Sequence, residues 1–103
     1  MNNKTNILVV EDDRQIRKLM STTLSANGYN IECTSDGGQA IMALSTGSFD
    51  IVLLDLGLPD MDGVTVIKRI REWSNIPIIV VSARGEDSDK ISDLDNGADA
   101  YLT

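Results

Sequence analysis

Hydrophobic and polar positions along this chain change period several times. Ile7-Leu8-Val9-Val10 is a continuous apolar run that ends abruptly in Glu11-Asp12-Asp13. Such a run predicts a strand buried on both faces. From Arg14 the period becomes helical. Ile16, Leu19, Met20 and Leu24 form its stripe, and Asn27-Gly28 supplies the stop. Asp13 stands where an acid would cap that helix. Tyr29 to Thr34 predicts a second, shorter strand. Asp36-Gly37-Gly38-Gln39 predicts a turn and helix start, with Ala40, Ile41, Ala43 and Leu44 as the stripe and Thr46-Gly47 as the end.

Ile51-Val52-Leu53-Leu54 is the second fully apolar run, and it too ends in an acid, Asp55. Gly57, Pro59 and Gly63 punctuate the loop that follows. Val66, Ile67, Ile70 and Trp73 recur at helical spacing. Pro77 precedes the third apolar run, Ile78-Ile79-Val80-Val81, which ends at Ser82. Glu86 to Asn96 reads as a polar helix with Ile91 and Leu94 on its stripe and Gly97 as its stop. Asp99 to Thr103 begins a fifth strand. The alternation β-α-β-α-β-α-β-α-β predicts an α/β fold with a parallel sheet, its right-handed crossovers placing helices on both faces. There is no internal repeat, low-complexity segment or linker.

Composition narrows the function. With 103 residues the chain forms one domain, and 42% hydrophobic content suits a folded one. A net charge of −7 argues against direct binding to nucleic acid. One cysteine and no histidine exclude a disulfide framework, a cysteine-based zinc site and histidine catalysis. The apolar runs are too short to span a bilayer, and the MNNKTN start lacks an apolar signal core, so the expected location is cytoplasmic.

The chemistry concentrates at strand ends. In a parallel α/β sheet, ligands bind beyond the carboxyl ends of the strands. If the first and third strands are neighbours, Glu11, Asp12 and Asp55 converge. Two unit charges at ~4 Å repel by about 4 kcal/mol at an effective dielectric of ~20, so a cluster without a local basic partner calls for a cation. Oxygen ligands select Mg²⁺, with Mn²⁺ or Ca²⁺ as substitutes. A cation there makes Asp55 a usable nucleophile towards a phosphoryl group, and the Ser82 hydroxyl can donate to a phosphoryl oxygen.

Plainer readings cover the remainder. Asp13 is a helix cap. Asp60-Met61-Asp62-Gly63 lacks the spaced ligands and terminal glutamate of a calcium loop and reads as loop and helix cap. Cys33 reads as a buried small hydrophobe, and Met20, Met42 and Trp73 as core. No dinucleotide-binding glycine fingerprint follows the first strand, and there is no phosphate-binding P-loop.

ILVVEDD, DLGLPDMDG, IIVVSARGE and GADAYLT together resemble the receiver domain of two-component response regulators, from about Ile7 to Thr103. The resemblance implies a flavodoxin-like, doubly wound five-stranded parallel sheet of order 2-1-3-4-5. It implies that Asp55 accepts a phosphoryl group from the phosphohistidine of a sensor histidine kinase. Glu11, Asp12 and Asp55 match the Mg²⁺-binding acids, and Gly57 the backbone carbonyl ligand. Ser82 matches the switch hydroxyl, and Tyr101 the aromatic residue that turns inward on activation. The Glu-Asp pair, SARGE and GADAYLT resemble the subfamily with winged-helix DNA-binding output domains. DLGLPD, REWS and SDKI resemble regulators of potassium-transport operons. In that subfamily phosphorylation promotes dimerisation through a face built on the fourth helix and fifth strand, where Lys90 and Asp99 match salt-bridge positions. Ala100 replaces a second acid there.

Family members continue into a Lys-Pro pair and a fifth helix. Residues 1–103 are therefore expected to be a C-terminally truncated receiver lacking that lysine, the last helix and the DNA-binding output domain of a full-length protein. Uncovered apolar surface of a few hundred Å² would destabilise it or drive self-association, including by swapped elements. Two other readings are an unphosphorylated interaction module of the same fold and a small Mg²⁺-dependent phosphohydrolase. The hydrolase reading requires a second acid at the position of Gly57.

Overall fold

The computed structural model describes residues 4–55, 58–81 and 97–102. Their elements are β1 (Asn6–Val10), α1 (Arg14–Ala26), β2 (Asn30–Thr34), α2 (Gly37–Thr46), β3 (Ile51–Leu54), α3 (Gly63–Arg71), β4 (Ile78–Val81) and β5 (Ala100–Leu102). All strands run parallel in one sheet of order β2-β1-β3-β4-β5. This is the doubly wound order expected from the sequence. It puts β1 and β3 side by side, with Val10 paired to Leu54, so the residues after both strands leave the sheet together.

Local chemistry starts and stops the helices where expected. The Asp13 carboxylate accepts from the amides of Gln15 and Ile16 at 2.8 and 3.1 Å, capping α1. Asp36 does the same for Gln39 at 2.8 Å in α2. Gly28 ends the α1 turn with φ of +92°, a conformation that costs a residue with a Cβ. α3 ends at Arg71, earlier than the apolar spacing suggests. Trp73 therefore sits in the following turn and is 48% exposed rather than in the core.

Among the described residues the main buried cluster lies on one face of the sheet. Leu8, Val10, Val52, Leu54, Ile78 and Val80 point to one face and pack against Ala40 and Leu44 of α2 and Val66, Ile67 and Ile70 of α3. On the opposite face Ile7 and Val9 are buried, but Ile51, Leu53, Ile79 and Val81 are half-buried. The apolar runs of β3 and β4 were expected to be buried on both faces. Here they alternate, because among the described residues α1 is the helix on that side and it packs on β1 and β2. α1 has no fully buried residue. Met20 and Leu24 are half-buried, while Ile16 and Leu19 of the same stripe are 43% and 66% exposed.

Two further expectations change. Met42 is 68% exposed, since α2 buries Gly37, Ala40 and Leu44 and Met42 lies on its other side. Cys33 is half-buried rather than buried, and burial pushes its thiol pKa up, which disfavours the reactive thiolate. The expected helix from Glu86 to Asn96 lies outside the described residues.

Candidate metal centre

β1 and β3 deliver the acids. Asp55 follows β3 directly, and its amide donates to the Val10 carbonyl at 2.9 Å, extending the ladder to the first residue of the site. Glu11 follows β1, and its amide donates to the Thr34 carbonyl of β2 at 3.0 Å. Backbone pairing on both sides thus fixes the two Cα positions. One carboxylate oxygen from each of Glu11, Asp12 and Asp55 lies within 4.8 Å of the others. Glu11 is buried, Asp55 half-buried and Asp12 exposed, so the cluster runs from the protein interior to solvent.

The surrounding bonds orient the cluster. The Asp13 amide donates to Glu11 Oε2 at 3.1 Å, aiming that carboxylate. Arg17 is the nearby cation, and its Nη1 donates to the carbonyls of Glu11 and Asp12 at 3.0 and 2.9 Å. The guanidinium thus braces the backbone behind the acids. Burial raises the Glu11 carboxyl from 4.5 to about 7, and the carboxylates of Asp12 and Asp55 add to the rise against the opposing Asp13 amide.

This donor set fits a hard divalent cation. Octahedral Mg²⁺ holds oxygens at about 2.1 Å, placing neighbouring ligands ~3 to ~4.2 Å apart. The three oxygens lie within 4.8 Å of one another, close enough to converge on one such ion by side-chain rotation. The cost of gathering like charges is what a cation would relieve.

Comparison with known proteins gives the cluster its setting. The profile of the "Response regulator receiver domain" matches residues 7–103. The chain belongs to the response regulator receiver family. It is 44% identical over 99 residues to the KDP operon transcriptional regulatory protein KdpE of Escherichia coli K12, covering 96% of this chain and 44% of that protein. It is 43% identical over 100 residues to the transcriptional regulatory protein KdpE of Staphylococcus aureus, covering 97% of this chain and 43% of that protein. The receiver therefore spans under half the length of these relatives. Among solved structures, the Francisella response regulator 1452 receiver domain superposes with a TM-score of 0.91 at 32% identity, covering 97% of this chain and 84% of that one. The response regulator TrrA of Thermotoga maritima, in complex with Mg²⁺–BeF, gives 0.87 at 31% identity, covering 96% and 85%.

The remaining site positions divide by location. Gly57, Ser82 and Lys90 lie outside the described residues. Tyr101 is placed by backbone alone, in β5 opposite Val80. Asp99 precedes β5 with its side chain 56% exposed, and its Oδ2 accepts from Arg71 Nη2 at 2.9 Å and from the Ile78 amide at 2.8 Å.

Sequence reasoning missed three residues. Arg17 braces the acid backbone. Arg71 ties α3 to the β4 and β5 approaches. Asp60 was read with its neighbours as loop and helix cap, yet it bonds the start of α2 across 22 and 23 residues rather than the adjacent α3. The Asp60 contacts and the Arg71 bonds to Gly97 and Asp99 have no local signal, because the fold supplies those partners, whereas Arg17 reaches carbonyls only five and six residues back.

Proposed function

We propose that this receiver accepts a phosphoryl group on Asp55 from the phosphohistidine of a sensor histidine kinase, in a Mg²⁺-dependent reaction. The observation that carries this reading is the convergence of Glu11, Asp12 and Asp55 within 4.8 Å at the carboxyl ends of adjacent parallel strands. A related receiver was solved with Mg²⁺–BeF, and another, the RstA receiver domain of Klebsiella pneumoniae, is described as BeF₃-activated.

An Asp55 carboxylate oxygen attacks phosphorus as the phosphorus–nitrogen bond to the donor breaks, and the departing imidazole keeps the bond's electron pair. Glu11, Asp12 and Asp55 would hold the cation, and the family resemblance adds the Gly57 carbonyl as backbone ligand. A Mg²⁺ held there would supply positive charge against the phosphoryl oxygens that approach the acids. The half-buried position of Asp55 leaves it reachable by a donor while its backbone stays pinned to Val10. Ser82 then bonds the phosphoryl group, and Tyr101 follows it inward, a two-state switch biased by the new bonds.

In the cell this cytoplasmic switch controls pairing of two copies through the face carrying Lys90 and Asp99. A DNA-binding output domain in the full-length protein would regulate transcription, of potassium-transport genes by similarity to the KdpE proteins. Asp99 would share an intersubunit bond with Arg71, which already holds its Oδ2.

Intact mass after incubation with Mg²⁺ and a small acyl-phosphate donor tests the reading. We expect gain of one phosphoryl group in the parent and none in Asp55→Asn. No gain in the parent, or an equal gain in both, overturns it.

A further inference from the structure

Three successive backbone carbonyls, those of Glu11, Asp12 and Asp13, accept from one residue. Arg17 closes the first turn of α1 with its own amide, which donates to the Asp13 carbonyl at 2.9 Å. Its side chain takes the other two, Nη1 donating to the Glu11 carbonyl at 3.0 Å and to the Asp12 carbonyl at 2.9 Å. These three residues connect β1 to α1, and two of them supply acids of the metal centre.

The peptide unit between Asp12 and Asp13 is held from both sides. Its carbonyl accepts from Arg17, and its N–H donates to Glu11 Oε2 at 3.1 Å. The guanidinium therefore fixes the plane whose amide aims the Glu11 carboxylate. The same nitrogen holds the preceding peptide plane through the Glu11 carbonyl. With both planes fixed, the two dihedrals of Asp12 between them are fixed too, and so is the direction in which its side chain leaves the backbone. Asp12 is exposed and shares its charge with Glu11 and Asp55. Repulsion among the three acids favours swinging Asp12 outwards, and the Arg17 bonds oppose that.

We propose that Arg17 is a positioning residue for the metal centre: by holding the carbonyls of Glu11 and Asp12 it orders both carboxylates before the ion arrives. The proposal rests on the metal-dependent receiver reading. A turn released from Arg17 has to be ordered by the ion, and that ordering draws on metal affinity. A role through charge alone predicts the opposite sign. A bystander cation beside three acids opposes a second cation, so neutralising it would tighten Mg²⁺ binding.

The test is Mg²⁺ affinity by calorimetry at neutral pH, beside thermal melting, for the parent, Arg17→Met, Arg17→Lys and Leu24→Ala. Arg17→Met keeps an unbranched apolar stem and removes every donor. Arg17→Lys keeps the charge and a donor but loses the length and planar fork of the guanidinium. Leu24 is half-buried near the far end of α1, so Leu24→Ala weakens the same helix without touching the acids. We expect Arg17→Met to weaken Mg²⁺ binding about tenfold and Arg17→Lys about threefold. Leu24→Ala should lower the melting temperature with affinity within about twofold of the parent. Unchanged or tighter binding in either folded Arg17 variant overturns the proposal alone. Loss in Leu24→Ala equal to that in Arg17→Met also overturns it, since helix stability would then explain the effect. A parent that binds no Mg²⁺ overturns the receiver reading and this proposal together.

Discussion

Glu11 is a carboxylate in the wrong medium. It is 7% exposed, and burial raises its carboxyl from 4.5 to about 7, with Asp12 and Asp55 beside it. Between those two values the folded chain retains a proton that the unfolded chain has lost. The Glu11 contribution to metal-free stability should therefore be greatest below the unfolded value, fall as pH rises through this window, and level off above about 7. The total drop is on the order of 3 kcal/mol, since each pKa unit corresponds to about 1.36 kcal/mol. Urea unfolding at pH 5 and pH 8 measures it. Saturating Mg²⁺ should remove the drop, the cation doing what the proton did, and Glu11→Gln should flatten it without metal. A metal-free profile that rises or stays level across the window would show that the buried carboxylate has another source of relief.

Among the elements, one side chain bonds to segments at the ends of α3, β4 and β5. Arg71, the last residue of α3, donates from Nε to the Gly97 carbonyl at 3.0 Å and from Nη1 to the carbonyls of Ser74 and Ile76 at 3.2 and 2.7 Å. Its Nη2 pairs with Asp99, which also accepts from the Ile78 amide. The guanidinium side chain is only 20% exposed, so its removal leaves part-buried carbonyls without donors. We expect Arg71→Met to cost about 2–4 kcal/mol. Arg71→Lys should recover less than half of that, because an ammonium cannot span the same fork of acceptors. Chemical denaturation of the three proteins decides it, and full rescue by lysine would show that only charge matters here. Helix starts were legible at this scale: Asp13 and Asp36 act on amides two or three residues away, a relation written in local sequence. Arg71 and Asp60 were not legible, because their partners lie in other elements.

For the whole molecule, the two sheet faces differ more than their sequences do. Val80 and Val81 are adjacent and chemically identical, yet Val80 is 0% exposed against α2 and α3 while Val81 is half-buried on the side of α1. Val80→Ala should cost about 2–3 kcal/mol, from lost apolar burial and a residual cavity, and Val81→Ala about half as much. Equal costs in denaturant titrations would mean that the Val81 face is covered in solution. Among the described residues, no helix is long and apolar enough to cross a membrane.

The order of elements, their polarity and the acids that end β1 and β3 follow from the sequence, because periodicity and caps act over a few residues and parallel α/β topology has few solutions. The same reasoning placed Glu11, Asp12 and Asp55 together once β1 and β3 were neighbours. It overestimated how many apolar residues the fold would cover, placing Met42 and Trp73 inside and β3 and β4 between two layers. Which apolar residues are covered depends on where each helix lies over the sheet, and that is set by packing across the whole chain. The grip of Asp60 on α2 and of Arg71 on the β5 approach belongs to the tertiary structure for the same reason. Their hydrogen bonds join residues more than 20 positions apart, and only the closed fold brings donor and acceptor within 3 Å.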